Sequence, residues 1–380
     1  MEDRFLDIRP FRDTEFQYEI DQLLAQTELV GMVDKIFGND ILRNLQQKRN
    51  RFRTLNDFIV NTTYPLLDIL LKRKHSQVTY GGQDNLSESV VYLSNHRDII
   101  SDPAFFQYSL VKGGFPTSEI GIGSNLAAAP WILSLMKLNK SFVVKRNLPK
   151  AEQMKSLVEL SEYINYTIKE KKASIWLAHR EGRAKDSNDR TQPSLLKMLA
   201  LKGNGSFLEN LKSLNITPVS ISYEYDPCDY LKAKEFQQRR DNADFKKSKA
   251  DDVVSMQTGL MGFASEIHFQ ITQPINSELD RIASMGLPRT QEVEQVAVII
   301  DRQIHSSYKI FKTNYMALDM LYGENRFENF YNSQEKVNFA KYIDTQISRI
   351  DLPSVDYEFC KEKILQNYSN TLVNYLRSKE

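Results

Sequence analysis

The sequence predicts an α/β protein: a largely parallel, mixed sheet covered by helices, with helical extensions at both ends. Three observations carry this. Short β-rich runs alternate with helical patterns between about residues 77 and 275. One of those runs, Val90-Val91-Tyr92-Leu93, is apolar throughout and reads as a buried strand. Helical periodicity without strand patterning fills the chain on either side. Alternation of this kind implies a covered, mostly parallel sheet with ligands at the C-terminal ends of its strands.

Residues 1–75 read as a helical N-terminal region. Ile20, Leu23, Leu24 and then Leu29, Val30, Val33, Ile36 and Phe37 recur at helical spacing. The basic run Arg43, Lys48, Arg49, Arg51, Arg53 fits a solvated helix face, and it also fits a surface for anionic lipid headgroups. Phe58–Leu71, ending in Lys72-Arg73-Lys74, suits an interfacial helix and a core helix equally. Residues 76–275 form the α/β domain. Its strands are expected at Gln77–Tyr80, Val90–Leu93, Ile120–Ile122, Phe142–Val144, Ser174–Leu177, Thr217–Tyr223 and Ile267–Ile271. Helices are expected between them at Pro103–Val111, Asn125–Met136, Lys150–Lys171 and Pro193–Leu201. Residues 276–380 return to helix, at Gln291–Lys312, Asn314–Leu321, Gln334–Arg349 and Tyr357–Arg377.

A chain of 380 residues with net charge +1, 41% hydrophobic and 26% charged, is globular and large enough for a substantial core. The neutral balance argues against bulk nucleic-acid binding. Cys228 and Cys360 lie far apart without metal-ligand spacing and are expected as free thiols in a reducing compartment. The start, MEDRFLDIRPF, has no signal-peptide pattern, and the longest apolar window, Ala127 to Val144, is interrupted by Lys137 and Lys140. Contact with a bilayer is therefore expected to be peripheral.

Four segments carry chemistry. In VVYLSNHRDIISDPAF, from Val90 to Phe105, a strand ends at Ser94-Asn95-His96, and Asp102 follows six residues after the histidine. Such a pair builds a general base: the imidazole takes a proton while the acid fixes its tautomer. A turn capped by Asn95 and Asp98 is the plain alternative. The strand Phe142-Val143-Val144 runs into Lys145-Arg146, which suits bidentate phosphate contact or a surface charge pair. Ser174 to Ala178 runs into Arg180, Glu181, Arg183, Lys185 and Asp186 around Gly182. Arg183 and Lys185 are phosphate-type donors there, Glu181 an orienting acid, and Gly182 permits a tight turn. Pro218 opens the last of these strands, where a missing N–H is tolerated. His179 reads as a structural residue, and no histidines have zinc-type spacing, so no metal is expected.

Together these segments resemble, in order and spacing, the glycerolipid acyltransferases, the superfamily of glycerol-3-phosphate and 1-acylglycerol-3-phosphate acyltransferases. The matching residues are Asn95-His96 with a helix-borne acid, the strand ending at Arg146, Glu181-Gly182 followed by Arg183 and Lys185, and Pro218 opening an apolar strand. Gly123 to Trp131 is similar to the family's helix before its second motif, so the resemblance covers about residues 77–230. Two departures stand out. Five residues separate His96 from Asp102, one more than the family's motif has, and Ser101 takes the usual place of the acid. The third motif is one residue short between Gly182 and its basic pair. Either a bulge restores the His96–Asp102 contact, or another group orients the imidazole.

The resemblance implies transfer of a fatty acyl group from an acyl-CoA or acyl-ACP (acyl carrier protein) thioester to a hydroxyl of glycerol-3-phosphate or 1-acylglycerol-3-phosphate, in phospholipid biosynthesis. It implies His96 and Asp102 as catalytic residues. It implies Asn95, Arg146, Glu181, Gly182, Arg183, Lys185 and Pro218 as the substrate-binding set. No cofactor is expected beyond the thioester co-substrate. The expected partners are a membrane lipid surface, the acyl donor and the phosphorylated glycerol acceptor, with no nucleic acid. The expected location is the cytoplasmic face of the inner membrane, held peripherally. Two alternatives stay open: an O-acyltransferase for another lyso-lipid such as a lyso-aminolipid, and a non-catalytic scaffold that binds lipid or a partner.

Overall fold

A computed structural model describes residues 3–127 and 129–380. The N-terminal helices are α1 (Phe16–Leu24), α2 (Thr27–Phe37), α3 (Asn39–Lys48), α4 (Leu55–Phe58) and α5 (Tyr64–Arg73). The strands are β1 (Gln77–Gly81), β2 (Val91–Ser94), β3 (Glu119–Gly123), β4 (Ser141–Val144), β5 (Ile175–Ala178), β6 (Thr217–Tyr223) and β7 (Glu266–Ile271). Between them run α6 (Ser101–Lys112), α7 (Pro130–Leu138), α8 (Lys150–Lys169), α9 (Pro193–Leu199), α10 (Phe207–Lys212), α11 (Asp229–Asp241) and α12 (Lys249–Met261). The chain closes with α13 (Asn276–Ser284), α14 (Arg289–Ser306), α15 (Lys312–Tyr322), α16 (Ser333–Ser348) and α17 (Tyr357–Arg377).

The strands form one sheet in the order β1-β7-β6-β2-β5-β3-β4. All neighbours are parallel except β6 and β7. β1 and β7 thus run against the other strands, and β6, β2, β5, β3 and β4 present their C-terminal ends along one edge. The fold class is the α/β arrangement with a mixed sheet that the sequence predicts.

Each sheet face is covered by its own core. Phe16, Ile20, Phe58 and Leu67 of the N-terminal helices join Tyr92, Phe106, Val219 and Phe269 on one face. Tyr163, Ile164, Leu196, Leu211, Ile282, Val296 and Ile300 join Leu93, Phe142 and Leu177 on the other. A third cluster links α11 to the last helices through Ala233, Ala317, Phe339, Ile364 and Tyr368. The outer strand β4 does not offer a free edge to other chains, a common route to aggregation. The N-terminal strap lies beside it, with the Val143 N–H donating to the Ile8 carbonyl at 2.8 Å.

Two helices depart from the expected bounds. The pattern over Asn125–Met136 resolves into a short 3₁₀ turn at Ser124–Leu126 and then α7, which begins at Pro130. Proline fits a first helical position and disfavours helix before it. The single stretch Gln291–Lys312 is α14 followed by the start of α15, because the Asn314 side chain accepts from the Phe311 N–H at 2.8 Å and opens a new helix. α11 escapes pattern reading because its sequence is rich in charge and its apolar positions are sparse. Among the described residues no helix is long and apolar enough to cross a membrane.

Candidate active site

β2 delivers the motif to the shared C-terminal edge. Asn95 is fully buried, and its side-chain amide continues the β2–β6 pairing. Its Nδ2 donates to the Ile221 carbonyl at 2.9 Å, and its Oδ1 accepts from the Ile221 N–H at 2.8 Å. Asn95 therefore fixes where β2 stops.

The next residue points its ring out of the sheet. His96 Nδ1 lies 2.8 Å from Asp102 Oδ2. The extra residue between them is absorbed by a turn that Asp98 caps, its Oδ1 accepting from the N–H groups of Ile100 (3.0 Å) and Ser101 (2.7 Å). α6 then begins at Ser101, and the Asp102 carboxylate folds back from its first turn. Oδ2 of Asp102 also accepts from the N–H groups of Arg97 (2.6 Å) and Asp98 (2.9 Å). Oδ1 accepts from the Tyr223 hydroxyl at 2.8 Å. Four donors on a fully buried carboxylate keep it an acceptor. His96 must then donate through Nδ1, which leaves Nε2 as the ring nitrogen free to take a proton. Burial, with the Asp102 charge beside it, pushes the Tyr223 hydroxyl well above its ordinary range, so it stays a donor. The imidazole also packs edge-on against Trp176, with ring centroids 5.9 Å apart.

Of the predicted cations, Arg146 and Lys185 are each paired with an acid, and Arg183 is not. Arg146, at the end of β4, pairs with Glu181 beyond β5 at 3.0 Å. β2 and β4 are separated by β5 and β3, so their ends lie about 14 Å apart, three strand spacings. Gly182 has φ +69°, the left-handed turn its residue type permits. Lys185 bridges to Glu235 of α11 at 2.9 Å, and burial pulls its ammonium below the ordinary range against the pull of Glu235. Arg183 turns inward toward Asp98, Asp226 and Asp252, and its Nη1 is buried without a hydrogen-bond partner. Lys185 is thus engaged by Glu235 in this structure. Pro218 is buried as the second residue of β6, its carbonyl accepting from Thr272 N–H at 3.0 Å.

His179 is buried, with Nδ1 3.1 Å from the Thr191 hydroxyl, which itself donates to Asp301 at 2.7 Å. Among the described residues no group of His, Cys, Asp and Glu converges as a metal site. Two open clefts, one around Arg4, Glu162 and Lys202 and one around Arg240, Asp356 and Phe359, lie away from the imidazole. Tyr223, Asp226 and Lys232 escaped sequence reading, because nothing in their spacing relates them to His96.

No family model matches the chain, and no curated protein matches it. Among solved structures it is similar to the crystal structure of the 1-acyl-sn-glycerophosphate (LPA) acyltransferase PlsC from Thermotoga maritima. That likeness has 13% identity and a TM-score of 0.36, covering 77% of this chain and 98% of that one. A likeness of that degree bears on no individual residue.

Proposed function

We propose that the protein is an O-acyltransferase, moving a fatty acyl group from a CoA or acyl carrier protein thioester to a hydroxyl of a glycerol-based lipid acceptor. The observation that carries this is the His96–Asp102 contact at a shared strand edge, with Nε2 left free. A thioester is already activated, so the alcohol is the reactant that needs help. Nε2 takes the hydroxyl proton as the new C–O bond forms; the C–S bond breaks, and the proton passes to the departing thiolate. A positioned imidazole can do both, first as general base and then as general acid. Asp102 holds the ring and balances the imidazolium. The same contact speaks against a scaffold that only binds.

The first reading of the acceptor is glycerol-3-phosphate or 1-acylglycerol-3-phosphate, with Arg146 on the phosphate. A second reading, a lyso-lipid whose head group carries both charges, is favoured by the Arg146–Glu181 pair, which offers one charge of each sign. A lyso-lipid acceptor of either kind resides in membranes, which fits peripheral attachment at the cytoplasmic face of the inner membrane.

His96→Ala should lower both thioester release and lipid product by roughly 10²–10⁴-fold; turnover at the wild-type rate would remove the mechanism. An acceptor panel separates the two readings. Arg146→Ala should raise KM for both kinds of acceptor, through the phosphate or other anion it would hold, whereas Glu181→Gln should matter only for an acceptor bearing an ammonium group.

A further inference from the structure

The C-terminal helices take no part in the chemistry just proposed, yet they hold the loop that carries it. The peptide between Arg97 and Asp98 is the point of contact. Its N–H, on Asp98, donates to Asp102 at 2.9 Å. Its carbonyl, on Arg97, accepts from Lys232 Nζ of α11 at 3.1 Å. A cation on the carbonyl polarises the peptide and strengthens the N–H bond at its other end. Lys232 also bonds Asp226, and both residues are buried. Asp226 is held in turn from α17: Asn367 Nδ2 donates to its carboxylate at 3.1 Å, and its own N–H donates to the Tyr368 hydroxyl at 3.0 Å. The buried Arg97 guanidinium faces the same carboxylate at 3.8 Å and the Thr371 hydroxyl at 3.4 Å.

A buried charge cluster adds little stability over apolar packing of the same volume. What it adds here is direction, because each member bonds the next along one line from α17 to the imidazole. We propose that Lys232 and Asp226 are positioning residues for the His96–Asp102 pair, set in place by the terminal helix α17. The inference rests on the acyltransferase reading only for its kinetic arm.

The test uses the full chain with Lys232→Met, which keeps the side-chain stem and removes the ammonium. A second variant, Thr371→Val, is nearly isosteric and acts from α17. Lys234→Met, on the same helix but outside the network, is the control. The kinetic arm measures kcat and KM with both substrates varied. The spectroscopic arm follows the downfield proton resonance of His96 Nδ1–H, identified by its loss in His96→Ala. Lys232→Met should lower kcat by about 10²-fold with KM within about twofold, as a displaced base does. It should also move the Nδ1–H resonance upfield. Thr371→Val should shift both readings the same way by less, and Lys234→Met should leave both at wild-type values. A folded Lys232→Met protein with unchanged kcat and resonance overturns the proposal. If that variant does not fold, an unchanged resonance in Thr371→Val overturns it. Should the wild-type protein turn over no acyl thioester, the acyltransferase reading falls, and the resonance alone still decides the positioning.

Discussion

At the residue scale, the candidate site depends on how one buried carboxylate is satisfied. Asp102 takes two backbone N–H groups, the imidazole and the Tyr223 hydroxyl, so removing any donor leaves part of a buried charge unpaired. Tyr223→Phe should therefore lower stability by about 1–3 kcal/mol, measured by urea unfolding. Its kcat should fall by less than that of His96→Ala, because the ring stays bonded through Nδ1. Asp226 gives a pH prediction. Burial works to raise its carboxyl, but the Lys232 and Arg97 charges and the Lys232 and Asn367 hydrogen bonds outweigh it and hold the value at about 2. The folded value lies below the unfolded one of about 3.9, so its contribution is present above that pH and is lost as pH falls toward about 2. The stability gap between wild type and Asp226→Asn should be full at pH 6 and shrink between pH 4 and pH 2. A gap that stays constant over that window contradicts the pairing.

At the element scale, the site is a join between pieces rather than a property of one motif. β2 stops where the Asn95 amide takes over the pairing with β6, α6 starts where Asp98 caps it, and α12 seals the turn from outside. The α12 contact is close: a Cβ added at Gly259 would fall 1.7 Å from Asp98 Oδ2. Gly→Ala inside an exposed helix normally stabilises by up to about 1 kcal/mol. Here the collision decides the sign, and Gly259→Ala should destabilise by about 1–3 kcal/mol. Gly31→Ala in α2, where nothing lies within 4 Å of the new carbon, should instead stabilise by a few tenths to about 1 kcal/mol. Opposite shifts in urea midpoint for the two substitutions check the argument. A matched stabilisation would mean that α12 does not lie against Asp98.

At the scale of the whole molecule, the cores cross the boundaries that composition marks. One sheet-face core runs from Phe5 of the N-terminal strap to Tyr308 after α14, and Tyr375 of α17 packs against it. The other joins the N-terminal helices to β6 and β7. Hydrogen bonds tie the last helices to one another and to the end of β6, Asn314 Nδ2 of α15 donating to the Tyr368 carbonyl of α17 and the Thr313 hydroxyl to the Glu224 carbonyl just past β6. Unfolding should therefore be one cooperative transition. The fluorescence of Trp131 and Trp176, in the first half of the chain, should coincide with far-UV circular dichroism, which weights the helices throughout. Separate midpoints would mean that residues after about 312 unfold on their own.

By itself the sequence determined the order of the strands, because apolar periodicity reports burial within a short window and each of the seven strands lies within a residue or two of its expected place. It also marked His96, Arg146 and Glu181, which sit at strand ends where local pattern changes abruptly. It left open whether Asp102 reaches His96, since one inserted residue moves a side chain by about 100° around a helix. Only the tertiary structure decided that, through the Asp98 cap and through Tyr223, which lies 121 residues further on. The matching of Lys185 with Glu235, and the line from α17 to the imidazole, were likewise set by packing. Charges far apart in the chain pair or stay free according to which helices cover the sheet edge, and no spacing in the sequence encodes that.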